Sequence, residues 1–229
     1  MNKFSSYLTR TEAIAGWCFL PVQTLLFPPL LNFLNTLLPV PLDNAKLNFV
    51  YFCMNFLCAG VIFRRYLLQQ WKKLTAAPWR VLRYAIWGFL LYYAATMLLG
   101  FVIQFIYPDF HNPNDNTVAV LVKENYTLIA IGTILLAPPV EELLYRALLF
   151  GSVRRYHRIG AYCASILVFA GIHVVSYIGT ADTFSLLLSL LQYLPAGFCL
   201  CWAYEKSDSI FAPMLMHIAI NQIGISIMR

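Results

Sequence analysis

Six side chains stand out because they carry charge or strong hydrogen-bonding groups inside otherwise apolar stretches: Glu141, Glu142 and Arg146 in EELLYR, His173 in FAGIH, and His217 with Asn221 in HIAIN. Such groups are costly within a membrane and default to a functional hypothesis. A carboxylate poised between ionised and neutral suits general base catalysis, and an imidazole can hold or pass a proton. The same set admits other readings. A glutamate with two histidines resembles a His₂Glu zinc site, buried His and Asn can act as interhelical glue, and a Glu–His pair can relay protons in a transporter.

Spacing sorts these residues by face. Glu142 and Arg146 are four apart with the acid first, the orientation that favours an ion pair on one helix face, and Glu141 is turned about 100° away, toward a cavity. Pro138 and Pro139 remove backbone donors just upstream, so the sequence predicts a break there, with Glu141 in the first turn of a new segment where the helix dipole favours negative charge. His173 follows Phe169 by one turn, His217 and Asn221 share a face, and Pro213 is expected to kink the last helix one turn before His217. Counted from the basic ends of their helices, Glu141, His173, His217 and Asn221 lie at similar depth, about 10–20 Å in at 1.5 Å per residue. No HExxH zinc helix and no GxSxG elbow occurs, Asp182 lies in GTAD and not in a GxGD pair, and all five aspartates fall in predicted loops.

The elements that must hold these groups are transmembrane helices. Hydrophobic residues make up 60% of the 229 and charged residues 11%, far from the usual soluble balance. The apolar stretches predict an all-α polytopic bundle, one integral membrane domain over 1–229, of about seven spans: 13–38, 47–63, 84–107, 126–150, 160–178, 184–204 and 210–227. The candidate chemistry falls within 126–227. The first span, with Pro21, Pro28 and Pro29, is predicted to be kinked or a re-entrant pair. Arg64, Arg65, Lys72, Lys73, Arg80 and Arg83 crowd one connection and Arg154, Arg155 and Arg158 another, which predicts both, and the N-terminus, on the cytoplasmic side. The N-terminal stretch lacks a short apolar core and a small-residue cleavage site and reads as a retained end. The net charge of +6 is therefore a topology signal, and nucleic acid is not an expected partner. The six cysteines, which form no CxxC, are expected in helix packing, and Trp71, Trp79, Tyr84, Tyr107 and Tyr204 as interface anchors.

The ordered motifs EExxxR, FxxxH and HxxxN over the last hundred or so residues resemble those of the CAAX-protease and bacteriocin-processing family of intramembrane glutamate-type endopeptidases, and the short chain is more similar to the bacterial branch. The resemblance implies that Glu141 with His173 activates a water, that His217 and Asn221 stabilise the oxyanion, and that Glu142 with Arg146 supports the site. It implies a peptide or membrane-protein substrate met within the lipid bilayer, here of a bacterial plasma membrane. No metal is the favoured expectation, because the HxxxN helix offers an amide better suited to an oxyanion than to a ligand; zinc remains the alternative. A non-catalytic membrane protein, either a bacteriocin immunity factor or a proton-coupled transporter, is the competing function.

Overall fold

The computed structural model describes residues 4–229; Met1–Lys3, the start of the N-terminal stretch expected to be retained, lie outside the described residues. The described chain forms nine helices, α1 (Arg10–Thr36), α2 (Asn44–Ile62), α3 (Arg64–Ala76), α4 (Pro78–Ile106), α5 (Pro113–Glu124), α6 (Tyr126–Arg154), α7 (Arg158–Ile172), α8 (Thr183–Ser207) and α9 (Phe211–Ile227). Five of them, α1, α2, α4, α6 and α8, are long and apolar enough to cross a membrane, and α7 and α9 are shorter apolar helices. These seven coincide with the seven expected spans. The protein is an all-α, multi-pass membrane bundle.

Polar residues at the segment ends start the helices. Thr9 and Glu12 form a reciprocal capping box at α1, and Asp43, Asn112, Asn125, His157 and Asp182 accept backbone N–H groups at the starts of α2, α5, α6, α7 and α8. The helix α6 runs through the centre, with every residue from Leu143 to Phe150 buried. Close approach depends on small residues. At Gly197 an added Cβ would lie 3.2 Å from the Ile166 Cα, so any larger residue would push α7 and α8 apart by a few tenths of an ångström.

Two prolines in a row shape two of the helices in the same way. Ahead of Pro28–Pro29 the backbone widens into π turns at Val22–Leu26, and ahead of Pro138–Pro139 at Ile131–Leu136. Proline lacks an N–H and its ring crowds the carbonyl four residues back, and the wider turn relieves that crowding. Phe27 then bonds to Val22 and Ala137 to Gly132, which leaves Gln23 and Thr133 carbonyls free for side chains. Tyr51 donates to the first at 3.1 Å and Asn221 to the second at 2.8 Å. Neither helix is broken. The first span is one continuous helix and not a re-entrant pair, and Glu141 sits in the second turn of a short α segment, Ala137–Glu142, not at the start of a new helix. Pro213 is the third residue of α9 and fits its first turn without a kink.

Other expectations are corrected by packing. The connections read as loops contain α3 and α5, whose charge hid their helical pattern. Asp115 is thus helical, in the first turn of α5. The helix α7 ends at Ile172, not Ile178, so His173 caps it. Tyr204 is 0% exposed and is no interface anchor. Cys18 and Cys163 are exposed on the bundle surface, whereas Cys199 and Cys201 are buried in helix packing.

One end of the bundle is tied by a polar clasp. Asp208 ends α8 in a left-handed conformation (φ 53°), and its carboxylate accepts the Ser5 and Ser6 N–H groups at 2.8 and 2.9 Å, the Ser5 hydroxyl at 2.7 Å and Lys73 at 2.8 Å. Tyr204 donates to the Ser6 carbonyl at 2.6 Å, so the 2.7 Å contact with Tyr66 is donated by Tyr66. Glu12 accepts the Tyr66 N–H, and Arg155 donates to the Leu8 carbonyl. The N-terminal segment, α3 and both basic connections therefore share one end, as the charge pattern predicts.

Candidate active site

A cavity of about 570 Å³ opens among the helices, and Glu141, His173, His217 and Asn221 all line it. Glu142 and Arg146 lie behind the wall, each 0% exposed. The one-residue offset between the glutamates sends them to opposite duties, as the 100° step predicts. Glu142 pairs with Arg146 at 3.2 Å, and the guanidinium carbon lies 4.3 Å from the Phe169 ring centre, a cation–π contact.

The glutamate behind the wall also reaches the site. Glu142 Oε1 lies 2.8 Å from His217 Nδ1. The carboxylate paired with Arg146 accepts and Nδ1 donates, which leaves His217 Nε2 toward Glu141 Oε2, 3.8 Å away. His173 is fixed in a comparable way. Its Nδ1 lies 2.7 Å from the Phe169 carbonyl, and a carbonyl can only accept, so Nδ1 donates and Nε2 is left as an acceptor. The Tyr193 ring stacks on His173 at 4.4 Å and 26°, and the Tyr193 hydroxyl accepts from Asn114 at 2.9 Å.

Asn221 holds one amide N–H on the Thr133 carbonyl and keeps the second. Glu141 Oε2 has no hydrogen-bond partner although the atom is buried. Among the described residues no three His, Cys, Asp or Glu side chains converge as a metal site. The two anchored imidazoles and Glu141 carry the donor types of a His₂Glu set without that convergence.

Several contributors were not foreseen. Tyr193, Asn114, Asp115, Tyr51 and Asn55 line the same cavity. Polarity within an apolar stretch could have flagged Asn55, but Thr133 enters through its backbone and left no signal in the sequence.

Residues 123–223 match the family described as Type II CAAX prenyl endopeptidase Rce1-like, a stretch that contains all six site residues. The chain is also similar to a Bacillus subtilis (strain 168) protein named "Putative membrane peptidase YdiL", at 25% identity over 142 residues, 60% of this chain. The chain spans about half of that relative's length, 52%. No solved structure matches. Both similarities agree with the resemblance carried by the motifs in the second half of the chain.

Proposed function

We propose that the chain is an intramembrane endopeptidase that hydrolyses a peptide bond of a membrane-associated protein or peptide. The observation that carries this reading is the meeting of Glu141, His173, His217 and Asn221 on one cavity, with Glu141 unpartnered and both imidazoles anchored at Nδ1. Glu141 and the His173 Nε2 lone pair are two acceptors able to hold a water. As the water oxygen attacks the peptide carbon, its proton passes to Glu141, and the carbonyl oxygen becomes an oxyanion. The second N–H of Asn221 and a protonated His217 are the donors for it. Glu142 accepts from His217 Nδ1 and is itself paired with Arg146, so the imidazole is held in one orientation toward the cavity. Collapse of the tetrahedral intermediate breaks the C–N bond, and Glu141 returns its proton to the leaving amine.

The test compares membrane proteomes of cells carrying the wild-type chain and Glu141→Gln. A precursor that accumulates full-length only with the variant is the expected result. Identical proteomes with both proteins present at equal level would overturn the reading. Water activation here needs no metal, so turnover should survive prolonged incubation with EDTA or phenanthroline; loss of turnover restored by zinc would assign Glu141 and the histidines as ligands instead.

A further inference from the structure

The same cavity carries chemistry that the hydrolytic residues do not use. Among the described residues its wall holds two carboxylates, Glu141 and Asp115, and no lysine or arginine. Tyrosines also line it, Tyr92 and Tyr93 from α4 and Tyr193 from α8, the last hydrogen-bonded to Asn114, the residue before Asp115 on α5. Asp115 makes no ion pair among the described residues, and its carboxyl stands at the solvent-exposed edge of the cavity wall. Asn55, 3% exposed, lines the same cavity with its Oδ1 lacking a donor. Two acceptors on this wall, Glu141 Oε2 and Asn55 Oδ1, therefore lack a donor. A ligand that supplies positive charge and N–H groups complements it, and tyrosine rings beside a carboxylate are a favourable setting for an ammonium or guanidinium.

The segment is also built to hold its position. Asn112 Nδ2 donates to Gln192 at 2.8 Å, Asn114 to Tyr193 at 2.9 Å, and Tyr177 to Thr117 at 2.9 Å. These bonds fasten α5 to α8 and to the turn after His173, so Asp115 has a fixed place relative to the imidazole that Tyr193 stacks upon.

We propose that Asp115, with Tyr92, Tyr93 and Tyr193, forms a subsite for a cationic group of the substrate, a lysine or arginine side chain or a free α-amine, and so selects which peptide segment reaches Glu141. As a statement of substrate choice this rests on the hydrolytic reading of the cavity; as a statement of binding it stands by itself.

The experiment uses purified full-length protein in detergent and two amidated, acetylated peptides of the same apolar sequence, one carrying a central lysine and the other norleucine. Binding is measured for wild type, Asp115→Asn and Asp115→Glu, and cleavage is followed by mass spectrometry. Wild type should bind the lysine peptide at least about tenfold more tightly, roughly 1.4 kcal/mol. Asp115→Asn should bring the two peptides within about twofold at unchanged thermal stability, and Asp115→Glu should keep most of the preference. Equal binding of both peptides by wild type, or a preference that persists in Asp115→Asn, would overturn the subsite. If Asp115→Asn proves unstable, preference is read on Tyr92→Leu and Tyr93→Leu, which remove the rings, and an unaltered ratio in both overturns it equally. Lysine preference without cleavage supports the subsite and counts against hydrolysis, whereas cleavage without preference does the reverse.

Discussion

Two polar networks in this bundle differ in how completely they are satisfied. At the basic end Asp208 uses both carboxylate oxygens, Tyr66 and Tyr204 form a chain that terminates on the Ser6 carbonyl, and Gln70 bridges Ser6 to the Ile210 N–H. At the cavity, Glu141 Oε2, Glu142 Oε2, and Arg146 Nε and Nη2 have no partner. A fully satisfied buried network rigidifies a fold, while an unsatisfied one destabilises it. The clasp is therefore structural. In the cavity cluster Glu142 and Arg146 are closed off behind the wall and only Glu141 faces the cavity, where the proposed hydrolysis needs it free; the rest of the bundle offsets the cost of both.

The largest effects should come from separating the two glutamates. Glu141→Gln keeps volume and hydrogen bonding but removes the base, so turnover of a peptide substrate should fall by about 10²–10⁴, with stability within about 0.5 kcal/mol of wild type. Glu142→Gln leaves Arg146 uncompensated, and breaking such a buried pair costs about 3–5 kcal/mol. It also removes the anionic acceptor of His217, so turnover should fall too. The double variant Glu142→Gln with Arg146→Met should regain part of the stability but not the turnover, because His217 still lacks its carboxylate. Thermal stability in detergent and peptide turnover on these variants would decide. Wild-type turnover in Glu141→Gln beside a folded, inactive Glu142→Gln would reverse the roles of the two residues.

The contrast was partly legible in the sequence. Ionisable groups in apolar runs are so rare that Glu141, Glu142, Arg146, His173 and His217 could be named from composition and spacing alone, and helical periodicity put the two glutamates on different faces. Contacts between distant segments were not legible. The bond from Glu142 to His217 spans 75 positions, and nothing local signals it. Helices α3 and α5 were hidden because dense charge reads as loop when a connection is assumed to be solvated. The double prolines were read as breaks, but in a bundle the widened turn finds a side chain from another helix for its freed carbonyl, and the helix continues.

A smaller effect tests the clasp. Tyr204→Phe removes one hydroxyl and leaves the Ser6 carbonyl and the Tyr66 hydroxyl without partners at a site where Tyr66 and Tyr204 are each 0% exposed. The expected loss is about 1–3 kcal/mol, while turnover per folded molecule should stay within about twofold. A folded Tyr204→Phe protein with turnover reduced as far as in Glu141→Gln would mean that the clasp and the cavity act as one unit.

The smallest effect concerns charge at Asp208. Burial tends to raise the pKa of this group, but hydrogen bonds from Lys73 and Ser5 outweigh it and hold the carboxyl below its ordinary 3.8. A folded pKa below the unfolded one means that the ionised form favours the native state. Its contribution is complete above the unfolded value and is lost as pH falls through the folded one. Asp208→Asn removes this charge while asparagine tolerates the left-handed backbone at φ 53°; its Oδ1 can still accept the Ser5 and Ser6 N–H groups, and the bonds to Oδ2 from Lys73 and the Ser5 hydroxyl go with the charge. The carboxylate is largely sheltered, but Lys73 is partly open to solvent, so screening should limit the difference to about 1 kcal/mol. Asp43 and Asp182 also titrate below 3.8, so the informative quantity is wild type minus variant, measured as melting temperature from about pH 7 down to about pH 3. The gap should be constant at neutral pH and close on acidification. A gap that stays constant into acid would show that Asp208 acts through shape and neutral hydrogen bonds alone, and the clasp would then owe nothing to its ion pair with Lys73.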